Sequence, residues 1–277
     1  MQQTKAKDYS IFTILLVLAI AFLSPIFIVL MNSFKGKFYI SDTPFLFPNG
    51  TTFVGLKNYT SGITKIDFFS AFGMSLFITV CSVAVIVLFT SMTAWYITRV
   101  KSKFTNLMYY TFVFSMIVPF QMVMFTMTKT ANVLHLDNPI GIILIYLGFG
   151  SGLSVFMFSG FVKSIPLEVE EAVMIDGCNP PQAFFKVVLP ILKPIAVTVA
   201  ILNVMWVWND FLLPDLLIGT EYKTIPIAIQ YLKGGYGSID MGAMMAMLVL
   251  AIVPIIIFYL TCQKYIIEGV VAGAVKG

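Results

Sequence analysis

The sequence predicts an all-α membrane protein of six transmembrane helices joined by a few polar loops. Three observations predict it. Hydrophobic residues make up 59% of the 277 positions and charged residues only 11%, with a mean hydropathy of +0.94, whereas soluble domains carry about 25% charged residues. The apolar residues gather into six long runs, each near the roughly 20 residues a helix needs to cross about 30 Å of hydrocarbon. The runs also lack the polar–apolar alternation of a membrane β-strand. A single transmembrane domain over residues 1–277 is the expectation.

Lys5 and Lys7 precede the first run, residues 11–31. It is longer than a signal-peptide core and has no small-residue cleavage site after it, so it reads as an uncleaved helix with Pro25 as a point of kinking. Residues 32–69 are polar, with turn signals at Pro44, Pro48-Asn49-Gly50 and Gly55. The second helix is expected at 70–97, followed at once by Arg99, Lys101 and Lys103. The third, 105–127, is broken by Pro119. The fourth, 140–162, carries Gly148 and Gly152, a small-residue pair suited to close helix contact. The fifth, 195–213, holds Asn203, Trp206, Trp208, Asn209 and Asp210 toward its end. A Gly- and Tyr-rich loop, 214–241, leads to the sixth, 242–262, and a short tail.

Residues 163–194 interrupt this apolar pattern and read as two short helices joined by a turn. Ser164 is placed to cap the first, with Pro166 in its opening turn. Glu168, Glu170 and Glu171 crowd that turn, where the helix dipole favours negative charge. Ile165, Val169, Ala172 and Val173 share one face by spacing. Gly177 suits the left-handed residue that ends a helix, and Asn179 with Pro180 suits the start of the next.

An even number of helices puts both termini on one side. With the termini inside, ten of the 17 basic residues are cytoplasmic, among them the Arg99–Lys103 cluster. The positive-inside rule therefore places both termini and loop 163–194 in the cytoplasm of a multi-pass plasma-membrane protein.

Several functions are disfavoured. The net charge of +4 is scattered and forms no patch for nucleic acid. Cys81, Cys178 and Cys262 lie too far apart for a disulfide framework or metal spacing. The lone His135 sits beside the turn-like Asp137-Asn138-Pro139 without a second ligand, so no metal site and no catalytic residue is expected. No phosphate-binding Gly-x-x-x-x-Gly-Lys-Ser/Thr loop is present, so the chain is not expected to hydrolyse ATP. The middles of the six runs contain no ionisable residue, which disfavours a proton-coupled carrier. A sodium-coupled carrier, which can use backbone carbonyls, is only weakened.

The loop carries a specific resemblance. Glu171-Ala172-Val173, then Gly177 after three intervening residues, Val187 after nine more, and Leu189-Pro190 resemble the EAA motif of ABC importer permeases, with Val173 and Val187 replacing the usual Ala and Ile. Phe53–Tyr59 resembles a segment found before the core helices in sugar importer permeases, and Glu168–Pro194, Trp208-Asn209-Asp210-Phe211 and the tail Gly273–Gly277 resemble MalG-type permeases of oligosaccharide importers, a likeness that covers most of the chain. The resemblance implies the type I ABC importer permease fold. It implies a cytoplasmic loop docking into a separate ATPase through Glu171, Ala172, Asp176, Gly177, Phe184, Leu189 and Pro190. It implies as partners a second homologous permease, two ATP-binding subunits and an extracytoplasmic sugar-binding protein, within membrane lipid. ATP and magnesium would be used by the ATPase, with no cofactor on this chain. Tail residues Lys276 and Gly277 are implied contacts of the ATPase dimer. Gln121, Asn203, Asn209 and Asp210 are the polar candidates for the substrate path, although membrane Asn commonly serves helix contact. The alternatives are an ABC permease for a polyol, glycerol phosphate or polyamine, an ion-coupled carrier, or a membrane scaffold or receptor.

Overall fold

The computed structural model describes residues 2–219, 221–230, 232 and 240–274. Every element among the described residues is helical, apart from an isolated antiparallel bridge between Lys35 and Phe53. In order they are α1 (Gln2–Asn32), α2 (Lys37–Asp42), α3 (Lys57–Lys65), α4 (Phe68–Arg99), α5 (Lys103–Ser115), α6 (Phe120–Val133), α7 (Gly141–Val162), α8 (Leu167–Ile175), α9 (Pro180–Ala183), a π-helical turn (Phe184–Val188), α10 (Leu189–Ile191), α11 (Lys193–Asn209), α12 (Leu212–Leu217), α13 (Ile225–Gln230) and α14 (Met241–Ala274).

Four helices are long and apolar enough to cross a membrane alone: Ile11–Asn32, Phe68–Arg99, Gly141–Val162 and Met241–Lys264. Two bent pairs bring the number to six if each counts as one span: α5 with α6, bent by 109°, and Pro180–Ile191 with α11, bent by 77°. The third run is therefore not a straight helix. Pro119 has extended backbone (ψ 136°) and opens α6 as its N-cap residue. Proline also biases the residue before it away from helix. Beyond the bend, α6 runs to Val133, past the expected end of the helix at 127.

The fifth helix stops at Asn209 rather than at 213, because Asp210 leaves helical geometry (ψ 125°). Its carboxylate accepts the backbone N–H groups of Leu212 (3.0 Å) and Leu213 (3.4 Å), so a new short helix, α12, starts there. The sixth passes through Pro254 and extends to Ala274.

One compact unit comprises Met1–Phe69 and Ala228–Ile255. Its polar segment is more ordered than the turn signals suggest. Lys35 is fully buried, with its ammonium donating to the Thr43 carbonyl (2.6 Å). Asn58 donates to the carbonyls of Ser33 and Lys35 (2.8 Å each) and fastens α3 to the bridge segment. A Cβ on Gly242 would lie 2.5 Å from Asn58 Oδ1, and one on Gly62 would lie 2.7 Å from Met247 Cε. Small residues thus let α3 and α14 touch. Asp240 receives Lys65 as an ion pair and accepts the Ala243 N–H (3.1 Å), which secures the start of α14.

The other unit comprises Ser70–Ile227 and Ile256–Gly277. Its core is built around α7, which is apolar on all sides, as a membrane span should be, and which buries Ile142, Tyr146, Val155, Phe158 and Val162 while Leu144 and Phe156 stay exposed. At one end Val155, Phe158 and Val162 pack with Ala94, Ile97, Phe184, Val188 and Val199. Toward the other, Ile142 and Tyr146 pack with Ile78, Ile86, Val207 and Leu213. Gly150 meets Ile86 and Asn203, and Gly152 comes against Phe112 and Ser115 of α5. Gly148 has open space around it, so the close contact involves only one member of the expected glycine pair.

Candidate functional site

Loop 163–194 folds as two helical pieces around one turn. Ser164 does not cap the first piece. Its hydroxyl donates back to the Phe161 carbonyl (2.7 Å), and Pro166 occupies the N-cap position of α8. At the other end of α8, Gly177 is left-handed (φ +88°), and the Cys178 N–H reaches the Val173 carbonyl (3.2 Å). That is the six-to-one bond of a Schellman ending. Asn179 and Gln182 exchange side-chain and backbone bonds, both 3.0 Å, as a capping box that starts α9.

The second piece passes through a π turn, in which the Leu189 N–H bonds to the Phe184 carbonyl five residues back. Pro190 explains the widening. A regular helix would need its missing N–H and would drive its ring into the Lys186 carbonyl.

The faces of the loop are now defined. Ala183, Phe184 and Val188 are buried, while Glu171, Ala172, Asp176, Gly177 and Pro190 are exposed and Leu189 is half-buried. Spacing placed Ile165, Val169, Ala172 and Val173 on one side, but Val169 and Ala172 face outward and the inward residue of α8 is Glu170. The tip is apolar and bare: Ile175 is 85% exposed, beside the open Gly177.

Glu170 is held by α4. Its Oε1 accepts from Arg99 Nε (2.9 Å) and Nη2 (2.7 Å), and its Oε2 accepts from Trp95 Nε1 (2.9 Å). Arg99 Nη2 also donates to the Ile165 carbonyl (3.0 Å), and the Trp95 ring lies 5.5 Å from that of Phe184. Sequence reading assigned Glu170 to the helix dipole and Arg99 to orientation. The only signal of their pairing is that the expected topology puts both at the cytoplasmic ends of helices.

The polar candidates for a substrate path are separated by their environments. Asn203 is buried, and its amide donates to Ser154 (3.2 Å) and to the Val199 carbonyl (2.8 Å). Asp210 accepts the hydroxyl of the buried Tyr146 (3.0 Å), whose ring meets Trp206 edge-on at 5.3 Å. Asn209 is exposed and donates to the Met205 carbonyl, and Gln121 is exposed in the first turn of α6. A cavity of about 440 Å³ sits at the α5–α6 bend, between Phe114, Ser115, Val123 and the α7 residues Ile145 and Phe149. Lys276 and Gly277 lie outside the described residues.

Four long apolar helices and two bent pairs, with one pinned amphipathic loop, define a multi-span helical membrane protein. The chain belongs to the family of binding-protein-dependent transport system inner membrane components, which matches residues 86–271. It is therefore a membrane component of a transport system rather than an enzyme. It is 36% identical over 277 residues, covering 100% of both chains, to the probable starch degradation products transport system permease protein AmyC of Thermoanaerobacterium thermosulfurigenes. It is 36% identical, covering 99% of both chains, to the multiple sugar-binding transport system permease protein MsmG of Streptococcus mutans. Its fold matches a chain of a bacterial ABC transporter that imports the acidic polysaccharide alginate, with a TM-score of 0.77 over 96% of this chain and 98% of that one, at 20% identity.

Proposed function

We propose that this chain is a permease subunit of an ATP-driven importer for oligosaccharides. It forms half of the translocation path and receives the work of a separate ATPase through loop 163–194. The observation that carries the coupling role is the loop's division of faces. Phe184 and Val188 root it in the core, while Glu171, Ala172, Asp176, Gly177 and the bare Ile175 form an unobstructed outer surface. A second permease, two ATP-binding subunits and an extracytoplasmic sugar-binding protein complete the assembly, and the family's dependence on a binding protein supports the last. Both termini and the loop are cytoplasmic in this reading, in accord with Arg99, Lys101 and Lys103 beside the loop's anchor. The sugar assignment rests on the relatives that carry starch products and multiple sugars.

The test is uptake of labelled di- and trisaccharides by cells with and without the gene. Uptake of a defined set should vanish on deletion and should survive collapse of the proton gradient while ATP is maintained. Loss of polyol or glycerol phosphate uptake instead would keep the mechanism and replace the substrate. Sugar uptake that fails with the gradient would exclude ATP drive.

A further inference from the structure

We infer that Arg99, Glu170 and Trp95 form the strut that passes loop movement to α4, with Glu170 its central positioning residue. This rests on the importer reading above.

Both oxygens of Glu170 are engaged, and its side chain is only 4% exposed, against 19% for Arg99. Burying an ion pair in this way seldom adds net stability, because desolvation offsets the attraction, and apolar sets of the same volume often hold a fold as well. What charge provides is directional geometry. Two arginine donors converge on Oε1 and the indole N–H holds Oε2, so the arginine and the tryptophan together fix where the carboxylate sits and how its plane is turned.

The placement fits transmission. Glu170 immediately precedes the outward Glu171-Ala172, so a force on the outer face of α8 acts one residue from the anchor. Arg99 also grips the Ile165 carbonyl where the chain enters the loop, and Trp95 lies against Phe184 in the second helical piece. Entry, first helix and second helix thus converge on a single turn of α4. Trp95 and Arg99 are four residues apart and share one face of that helix. Movement of the loop as a body is delivered to the end of a 32-residue span rather than absorbed in side-chain rearrangement.

The test uses the whole transporter reconstituted in liposomes and measures ATP hydrolysed per sugar imported. Glu170→Gln should raise that ratio by at least about fivefold, the lower end of coupling between distant sites. Trp95→Phe, which keeps the ring against Phe184 and removes one N–H, should raise it less. Arg99→Lys, which loses the fork, should resemble Glu170→Gln. A ratio unchanged in all three, even with less complex recovered, would make the cluster structural only and overturn the inference. If Glu170→Gln prevents assembly, Trp95→Phe decides by the same ratio. A wild-type chain that recruits no ATP-hydrolysing partner would instead remove the importer reading itself.

Discussion

Asp240 shows how one side chain serves both an ion pair and a helix start. Burial acts to raise its carboxyl's pKa, but the hydrogen bonds from Lys65 and the Ala243 N–H, together with the charges of Lys65 and Lys37, hold it below the ordinary value of 3.8. A carboxylate depressed on folding contributes stability in full above its unfolded value and loses it as pH falls through the lower, folded one. Lys65 is about half exposed, so the contribution is small, ~0.2–1 kcal/mol as for surface pairs. Thermal unfolding in detergent should therefore show Asp240→Asn less stable than wild type at pH 7. The gap should narrow below about pH 4, and a gap that widened in acid would contradict the assignment. None of this partnership was legible beforehand, since 175 positions separate the two residues. Gly177 and Asn179 were legible, because their jobs depend on backbone angle and on neighbours three residues away.

Helices α5 and α7 meet where glycine removes a side chain. A methyl group at position 152 would stand 2.6 Å from Ser115 Oγ and 2.9 Å from the Phe112 carbonyl, the second of which is backbone and cannot swing aside. Gly152→Ala should cost ~1–3 kcal/mol as an overpacked contact. Gly148→Ala enters open space and should be neutral or stabilising by up to ~1 kcal/mol through helix propensity. Melting temperatures of the two variants should move in opposite directions, or the first alone should fall. The existence of these helices was legible from apolar run length. Their breaks were legible only in part: Pro119 announced the first, but its 109° turn depends on what the two halves pack against. The end of the fifth helix at Asn209 turns on Asp210 accepting two N–H groups ahead of it, which hydropathy does not register.

At the scale of the whole molecule, the question is what covers the outer face of the loop, where Glu171, Ala172, Ile175, Asp176 and Gly177 are exposed. Gly177 tests whether a partner covers it. A Cβ there has nothing of this chain within 4 Å, but the left-handed backbone penalises any residue that carries one. Gly177→Ala and Gly177→Trp share that penalty of ~1–2 kcal/mol and differ only in bulk. Under the proposed docking, the alanine variant should still copurify its ATPase and transport, while the tryptophan variant should lose both. Copurification and transport by both variants would exclude a snug partner at this point.

Composition and run length determined the class of the chain, because burying residues in hydrocarbon demands long apolar helices whatever their neighbours. Motif spacing determined the form of the loop, because turns and caps are built from residues near one another in sequence. Tertiary structure alone decided the partners of Glu170, Asn58, Asp240 and Asn203. It also decided that Glu170, one residue from the exposed motif glutamate, is an inward anchor. A charge beside a helix start is stabilised by the dipole in any case, so its local sequence is the same whether it faces water or an arginine 71 residues away.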